Sequence, residues 1–349
     1  MTLREKAGQL LLVGFRGLEA GPRSPIVRAI RSGCVGGVVL FDRDLARGGR
    51  PRNIRSLRQV RKLITELQKA AAIPLLVAVD QEGGRVARLK KEQGFQEAPA
   101  AAALGRADDV EQTRHHAAAT AVALAAAGIN LNFAPVVDLD AYPDNPIIGR
   151  FGRSYSADPA VVVRHAAAVI EAHREHGVSC CLKHFPGHGS SRSDSHLGIT
   201  DVSESWQPSE LEPFRALVAA GQADAIMTAH IFNRHLDPEF PATLSIKIIT
   251  GLLRGELGFT GAVISDDLDM RAIADEFDRE RALELALNAG NDILLIANNA
   301  TFAADAAQRS LEAVLGLVAG GRVSAARIDE ACGRVLELKA RLTAAPAGI

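Results

Sequence analysis

A chain of 349 residues, 47% apolar and 23% charged, has the composition of a soluble globular protein and is long enough for two domains or one α/β barrel. A formal net charge of −1 lacks the basic excess with which nucleic-acid binders neutralise phosphates, so no nucleic-acid partner is expected. No apolar run approaches a membrane span and the N-terminal one is too short for a signal peptide; Cys34, Cys180, Cys181 and Cys332 show no CxxC spacing, which reads as buried thiols of a cytoplasmic protein.

The elements then follow in order. QLLLVGF (9–15) and VGGVVLF (35–41) read as strands, and residues 53–72 as a helix. IPLLVAVD (73–80) is the third strand, and a helix over 107–127 stops at Gly128. NLNFAPVVD (130–138) precedes a helix over 158–176 that ends at Gly177. VSCCLKHF (178–185) leads to a helix over 208–220 closed by Gly221. DAIMTAH (224–230), GAVISDD (261–267) and NDILLIAN (291–298) complete eight strands, and a last helix covers 324–341. These runs are continuously apolar, as expected for strands covered on both faces. Eight such units predict a (β/α)₈ barrel of the TIM type, a single domain over 1–349. An open doubly wound sheet would more naturally carry GxGxxG after its first strand, and none occurs.

In a barrel, chemistry collects where strands end, because the βα loops build the active face. The third run ends in Asp80, followed by Gln81, Glu82, Arg85 and Arg88. The fourth ends in Asp138 and Asp140, with Arg150 and Arg153 in the loop beyond. The fifth ends in Lys183 and His184, the sixth in His230, the seventh in Asp266 and Asp267, the eighth in Asn298 and Asn299. Loop composition alone accounts for part of this pattern, but less well for acids, histidines and basic residues recurring together.

The stretch KHFPGHGSSRSDSH (183–196) holds three of ten histidines and admits four readings. A metal site would use His184, His188, His196 and Asp194, but the spacing is not HExxH and no cysteine pair joins in. A phosphate cradle would use Gly187, Gly189 and the serines, but the pattern is not GxxxxGK[ST]. A proton-transfer device would use His196, its ring oriented by Asp194 two positions away, with an imidazole pKa of about 6.5 already near working pH. The plain alternative is a polar loop shaped by Pro186 and the two glycines. The histidines at 115, 116, 165, 173 and 176 fall on helical segments and read as helix-surface or interface residues.

Taken together, EKAGQLLLVGF, GGVVLF, VAVDQEGGRVARL, NFAPVVDLD, NPIIGRFGRSYSADP, KHFPGHGSSRSDSH, MTAHI, ISDDLDM and ALNAGNDILLIANN resemble glycoside hydrolase family 3, and within it the single-domain β-N-acetylglucosaminidases of peptidoglycan recycling. The resemblance implies a retaining β-N-acetylhexosaminidase that uses no cofactor or metal, acts as a monomer, and releases N-acetylglucosamine from N-acetylglucosaminyl-anhydro-muramyl peptides. It implies Asp266 as nucleophile, with Asp267 facing away, and His196 as acid/base oriented by Asp194. Contacts to sugar hydroxyls are implied for Asp80, Arg88, Arg153, Lys183 and His184. Arg85 with Glu82 reads as a structural ion pair. Family 3 β-glucosidases take their acid from a second domain for which this chain has no room, which favours the histidine mechanism. Rival readings are a phosphorylase, a β-glucosidase of the same family, a metal-dependent barrel hydrolase and a non-catalytic sugar binder. Two departures stand out: Gly198 to Asp201 where the family often has a proline, and Asp44 in FDRDL where asparagine is more usual.

Overall fold

The computed structural model describes residues 1–194 and 198–343. Eight parallel strands form one sheet: β1 (Leu11–Gly14), β2 (Gly37–Val39), β3 (Leu76–Val79), β4 (Leu131–Asn132), β5 (Ser179–Phe185), β6 (Ala225–Thr228), β7 (Ala262–Ile264) and β8 (Leu294–Ile296). Each strand pairs with its sequence neighbour, β1 also pairs with β8, and a bridge between Ile264 and Ile293 joins β7 to β8, closing the barrel. All eight expected strands are present, each shorter than its apolar run.

The continuous apolar runs follow from burial on two sides. Leu12, Val39, Leu76, Ala78, Leu131, Met227, Ile264 and Leu295 point inward and fill the barrel with Val335 and Leu338 of the last helix. Their neighbours Leu11, Val13, Val38, Val77, Val79, Leu294 and Ile296 point outward against the helices. Alternation persists, but both sides are dry.

The expected helices form as α3 (Leu57–Ala70), α5 (Val110–Ala127), α6 (Pro159–Glu175), α7 (Glu212–Ala219) and α11 (Ala325–Thr343), with α2 (Pro25–Arg31), α8 (Arg271–Ala274), α9 (Arg279–Ala289) and α10 (Ala306–Ala319) beside them. Their ends follow capping chemistry: Ser56, Asp109 and Asp158 accept backbone N–H groups of the first turn, and Gly128 (φ +87°) closes α5. The segment 107–127 is split, since α4 (Ala101–Ala107) ends at Asp108 in a left-handed conformation before α5 begins. Short α1 (Leu3–Gln9) and α11 close the N-terminal end of the barrel, where Lys339 Nζ reaches Gln9 Oε1 at 2.6 Å. On the same side Asp292 meets Arg254, Arg327 and Arg334 at 2.6, 2.7 and 3.2 Å. That end holds the barrel together, and the opposite end is free for chemistry.

Candidate active site

At the C-terminal ends of the strands, the chain after β3 turns back on itself as a short hairpin, Gln81–Gly83 against Val86–Ala87. Gly83 and Gly84 have φ of +101° and +57°, and a Cβ on Gly83 would lie 2.4 Å from the Pro99 carbonyl oxygen, so the turn requires glycine. Gln81 braces the turn from within: its Oε1 accepts the N–H groups of Arg88 and Leu89, and its Nε2 donates to the Leu89 carbonyl. Asn132 at the end of β4 exchanges two hydrogen bonds with the Gln81 backbone. This bracing holds Asp80 and Glu82 in place on either side of Gln81.

Those two carboxylates meet two cations from other strand ends. Lys183 Nζ, 2% exposed at the end of β5, lies 2.8 Å from Asp80 Oδ1 and 2.7 Å from Glu82 Oε1. Arg153 clamps Glu82 with two parallel bonds, Nε to Oε2 at 2.8 Å and Nη2 to Oε1 at 2.7 Å. Arg88 Nη2 approaches Asp80 Oδ2 at 3.4 Å. Burial alone would raise both carboxyls, but Lys183 and Arg88 hold Asp80 well below the ordinary range, and Arg153 and Lys183 lower Glu82. Burial works against the charge on Lys183 and Arg153 as well, and the same carboxylates outweigh it. All four groups are therefore ionised at neutral pH.

His184 continues the network. Its Nδ1 lies 2.6 Å from Asp138 Oδ2, and its own N–H donates to Asp138 Oδ1 at 3.1 Å. The Asp138 carboxylate fixes the ring with the proton on Nδ1, leaving Nε2 as the acceptor, 3.4 Å from Arg153 Nη2. Asp138 also accepts the N–H of His188 at 2.8 Å. His188 is buried, and burial with His184 beside it pushes its pKa down to about 4, so it is neutral. The network reaches solvent at Asp80 and Arg88, which are 19% and 30% exposed.

On β7 the strand proper ends at Ile264, and Asp266 and Asp267 follow it. Asp266 is half-buried, and one of its carboxylate oxygens accepts the N–H of Asp267 at 2.8 Å. Asp267 turns aside: its Oδ1 accepts the N–H groups of Asp269 and Ala297 at 3.1 and 2.8 Å. His230, at the end of β6, bridges Thr243 Oγ1 at 2.8 Å and the Asp267 carbonyl oxygen at 2.9 Å. The two neighbouring aspartates thus have different surroundings.

Asp80, Arg88, Arg153, Lys183 and His184 come together in one network, and Asp266 stands on the same rim. Asp194 is described and half-buried; His196 lies outside the described residues. Arg85 does not pair with Glu82: its guanidinium lies 5.3 Å over the Phe151 ring, while Glu82 is held by Arg153 and Lys183. The long arginine from the β4 loop reaches the carboxylate that the nearer Arg85 cannot share. Glu82 and Asp138 are parts of the site that sequence reasoning left out, although both stand in strand-end motifs. Asp44 has a local reason as well. Its carboxylate, 2% exposed, accepts two bonds from Arg16 and faces Arg52 at 3.7 Å, and the Arg16 bonds hold its pKa low against burial. Among the described residues no three His, Cys, Asp or Glu side chains are placed to hold a metal ion, and no helix is long and apolar enough to cross a membrane.

The model of the glycosyl hydrolase family 3 N-terminal domain matches residues 2–338. The chain belongs to glycosyl hydrolase family 3. This family 3 chain is 38% identical over 273 residues to a beta-hexosaminidase of Idiomarina loihiensis, covering 76% of this chain and 77% of the relative. It is 40% identical over 275 residues to a beta-hexosaminidase of Tolumonas auensis, covering 77% and 78%. Its structure matches a family 3 beta-N-acetylglucosaminidase from a Paenibacillus species with a TM-score of 0.90 at 38% identity; it is covered completely but spans 64% of that longer protein. A beta-N-acetylhexosaminidase from Beutenbergia cavernae matches with a TM-score of 0.87 at 32% identity over 97% of this chain and 99% of the other. The eight-stranded barrel expected from the sequence is the family 3 barrel, and the chain is a glycoside hydrolase.

Proposed function

We propose that this family 3 chain is a β-N-acetylhexosaminidase that works with retention of configuration, through a covalent glycosyl intermediate on Asp266. In this reading Asp80, Arg88, Lys183, His184 and Arg153 bind the hydroxyl groups of the terminal sugar. Asp80 and Arg88, the exposed members, touch sugar directly, while Glu82 and Asp138 hold the buried members in register. Asp266 attacks the anomeric carbon as His196, oriented by Asp194, gives a proton to the leaving oxygen; the same imidazole then takes a proton from the water that hydrolyses the glycosyl-enzyme.

Asp266 suits attack because its neighbour removes competition. Burial, with Asp269 and Asp266 nearby, pushes Asp267 up to about 8, so Asp267 is protonated at neutral pH and adds no negative charge beside Asp266. An imidazole that is protonated when it acts as acid and neutral when it acts as base avoids placing a second carboxylate roughly 5–5.5 Å from the nucleophile, the usual arrangement in retaining enzymes. It also tolerates a leaving sugar that bears its own acid group. We therefore assign the substrate to peptidoglycan-derived N-acetylglucosaminyl-anhydro-muramyl peptides, processed by a monomer in the cytoplasm, where four free and buried thiols are at home.

The observation that carries the reading is the rim: one preorganised polar network that opens to solvent at Asp80 and Arg88, with Asp266 beside a protonated Asp267 at the end of β7 on the same rim. The test is hydrolysis of a chromogenic N-acetyl-β-glucosaminide by the wild type, Asp266→Ala and His196→Ala. The first variant is expected to be nearly inactive, and the second least impaired with the best leaving groups. Addition of phosphate is expected to leave the wild-type rate unchanged; acceleration would point to a phosphorylase instead.

A further inference from the structure

Glu210 contributes nothing to the sugar network, yet one oxygen of its carboxylate is committed to the loop that follows β5. It sits in the Pro208–Leu211 turn before α7, with no solvent exposure. Its Oε2 accepts the N–H groups of Gly189 and Ser190 at 3.0 and 3.3 Å, and its Oε1 faces the N–H of Gln207 at 3.4 Å. The loop lies against it so closely that a Cβ on Gly187 (φ +118°) would stand 2.6 Å from the Glu210 Cβ. Gly189 is pressed equally on its other side, where a Cβ would lie 1.9 Å from the Leu139 carbonyl oxygen.

Other groups hold the same stretch of loop. Asn145 Nδ2 donates to the carbonyls of His188 and Gly189 at 2.8 and 3.0 Å, and Asp138 accepts the N–H of His188. Trp206 Nε1 donates to the Pro186 carbonyl at 3.2 Å. The trunk of the loop, residues 186–190, is therefore gripped by backbone bonds to Asp138, Asn145, Trp206 and Glu210. Asp138 links it to the His184 ring, and Glu210 grips it through the N–H groups of Gly189 and Ser190. Burying a carboxyl there is costly, and burial pushes it up to about 7.

We propose that Glu210 is the positioning residue for acid/base catalysis, fixing the trunk from which the chain runs on to Asp194 and His196. This rests on the reading of His196 as the acid/base. A group that acts only through the acid/base must affect proton delivery to the leaving oxygen and leave binding of the sugar untouched. That separates it from general structural damage, which would lower all rates together.

The experiment measures kcat/KM of wild type, Glu210→Ala, Glu210→Gln and His196→Ala on a series of aryl N-acetyl-β-glucosaminides with leaving groups of graded pKa, together with competitive inhibition by N-acetylglucosamine. Misplaced acid catalysis predicts that Glu210→Ala loses about 10–100-fold on the poorest leaving group. On the best leaving group, which needs little proton assistance, the expected loss is less than about threefold. Inhibition by N-acetylglucosamine is expected to stay within about twofold, since the contacts assigned to the sugar are intact. Glu210→Gln, whose single amide oxygen cannot serve both Gly189 with Ser190 and Gln207, is expected to fall between, and it carries the test if the alanine variant does not fold. Equal losses across the series, or weakened inhibition in step with the rate, would overturn the proposal. A steep dependence in His196→Ala with a flat one in both Glu210 variants removes Glu210 alone; a flat dependence in His196→Ala removes the acid/base reading and this inference with it.

Discussion

Replacing Glu82 with glutamine tests the buried network at its hub. Glu82 is 6% exposed and its partners Arg153 and Lys183 are 11% and 2% exposed, so little water is available to compensate either cation. Glutamine keeps the shape but offers one acceptor oxygen where three charged N–H contacts of 2.7–2.8 Å now converge, and its NH₂ must face a donor. Removing one partner of a buried ion pair costs about 3–5 kcal/mol; with one acceptor kept, the lower end, about 3 kcal/mol, is expected. At about 2.1 cal/mol/K of unfolding entropy per residue, a chain of 349 residues shifts by roughly 1.4 °C per kcal/mol, so the melting temperature falls by about 4 °C, measurable by calorimetry at neutral pH. The pH dependence gives a second check. The folded state lowers the Glu82 pKa below 4.5, so its stabilisation is complete above 4.5 and is lost as pH falls through the folded value. The gap between wild type and Glu82→Gln is therefore expected to be full at neutral pH and to close in acid. Equal melting temperatures at neutral pH, or a gap that widens on acidification, would refute the reasoning.

Asp267→Asn is expected to keep most activity, in contrast to Asp266→Asn, because Asp267 is already neutral at pH 7. A carboxyl raised to about 8 by folding gives stability that is present in acid and lost as pH rises through 8, so this variant is also expected to be more stable than wild type above pH 8 by denaturant titration. Activity lost as fully as in Asp266→Asn would remove that argument. Asp292→Asn, which leaves three arginines around a neutral amide at the closed end of the barrel, is expected to cost about 3–5 kcal/mol in urea unfolding while the folded fraction keeps its KM. A raised KM would mean that the two ends of the barrel are coupled. Arg85→Ala is expected to leave stability within about 0.5 kcal/mol, since its contact is an arginine–aromatic one with Phe151 and Glu82 keeps both its partners. A drop comparable to that of Glu82→Gln would restore the pairing of Arg85 with Glu82.

The barrel was legible because its strands are dry on both faces: runs such as LLVAV and LLI cannot be amphipathic surface strands, and the polar residues beyond them mark one rim. The short hairpins escaped notice because two-residue strands such as Arg43–Asp44 and Val86–Ala87 carry no period to detect. The Lys247–Glu256 segment, wound with π-type turns, went unread although Ser245 caps its start by accepting the N–H of Ile248 at 3.1 Å. Within the site, the residues that face sugar in the family were readable from motifs, but their supports were not. Glu82 sits three residues from Arg85, and local spacing favoured that pair; only the tertiary fold brings Arg153 from 71 positions away to take it. Asp138 looked like one polar strand end among several until the fold brought His184 and His188 to its two oxygens. Glu210 lies in a turn whose sequence, QPSEL, predicts a helix start and nothing about the loop it grips.

The claim on which the rest depends is that Asp266 becomes covalently bonded to sugar. The direct measurement is inactivation with a 2-deoxy-2-fluoro or 5-fluoro glycosyl reagent that slows hydrolysis of the intermediate, followed by intact mass and peptide mapping. The account predicts a single added sugar on the peptide containing Asp266, absent in Asp266→Ala. An adduct mapped to Asp267, Glu82 or any other side chain, or full inactivation of a catalytically competent enzyme with no adduct, would contradict it.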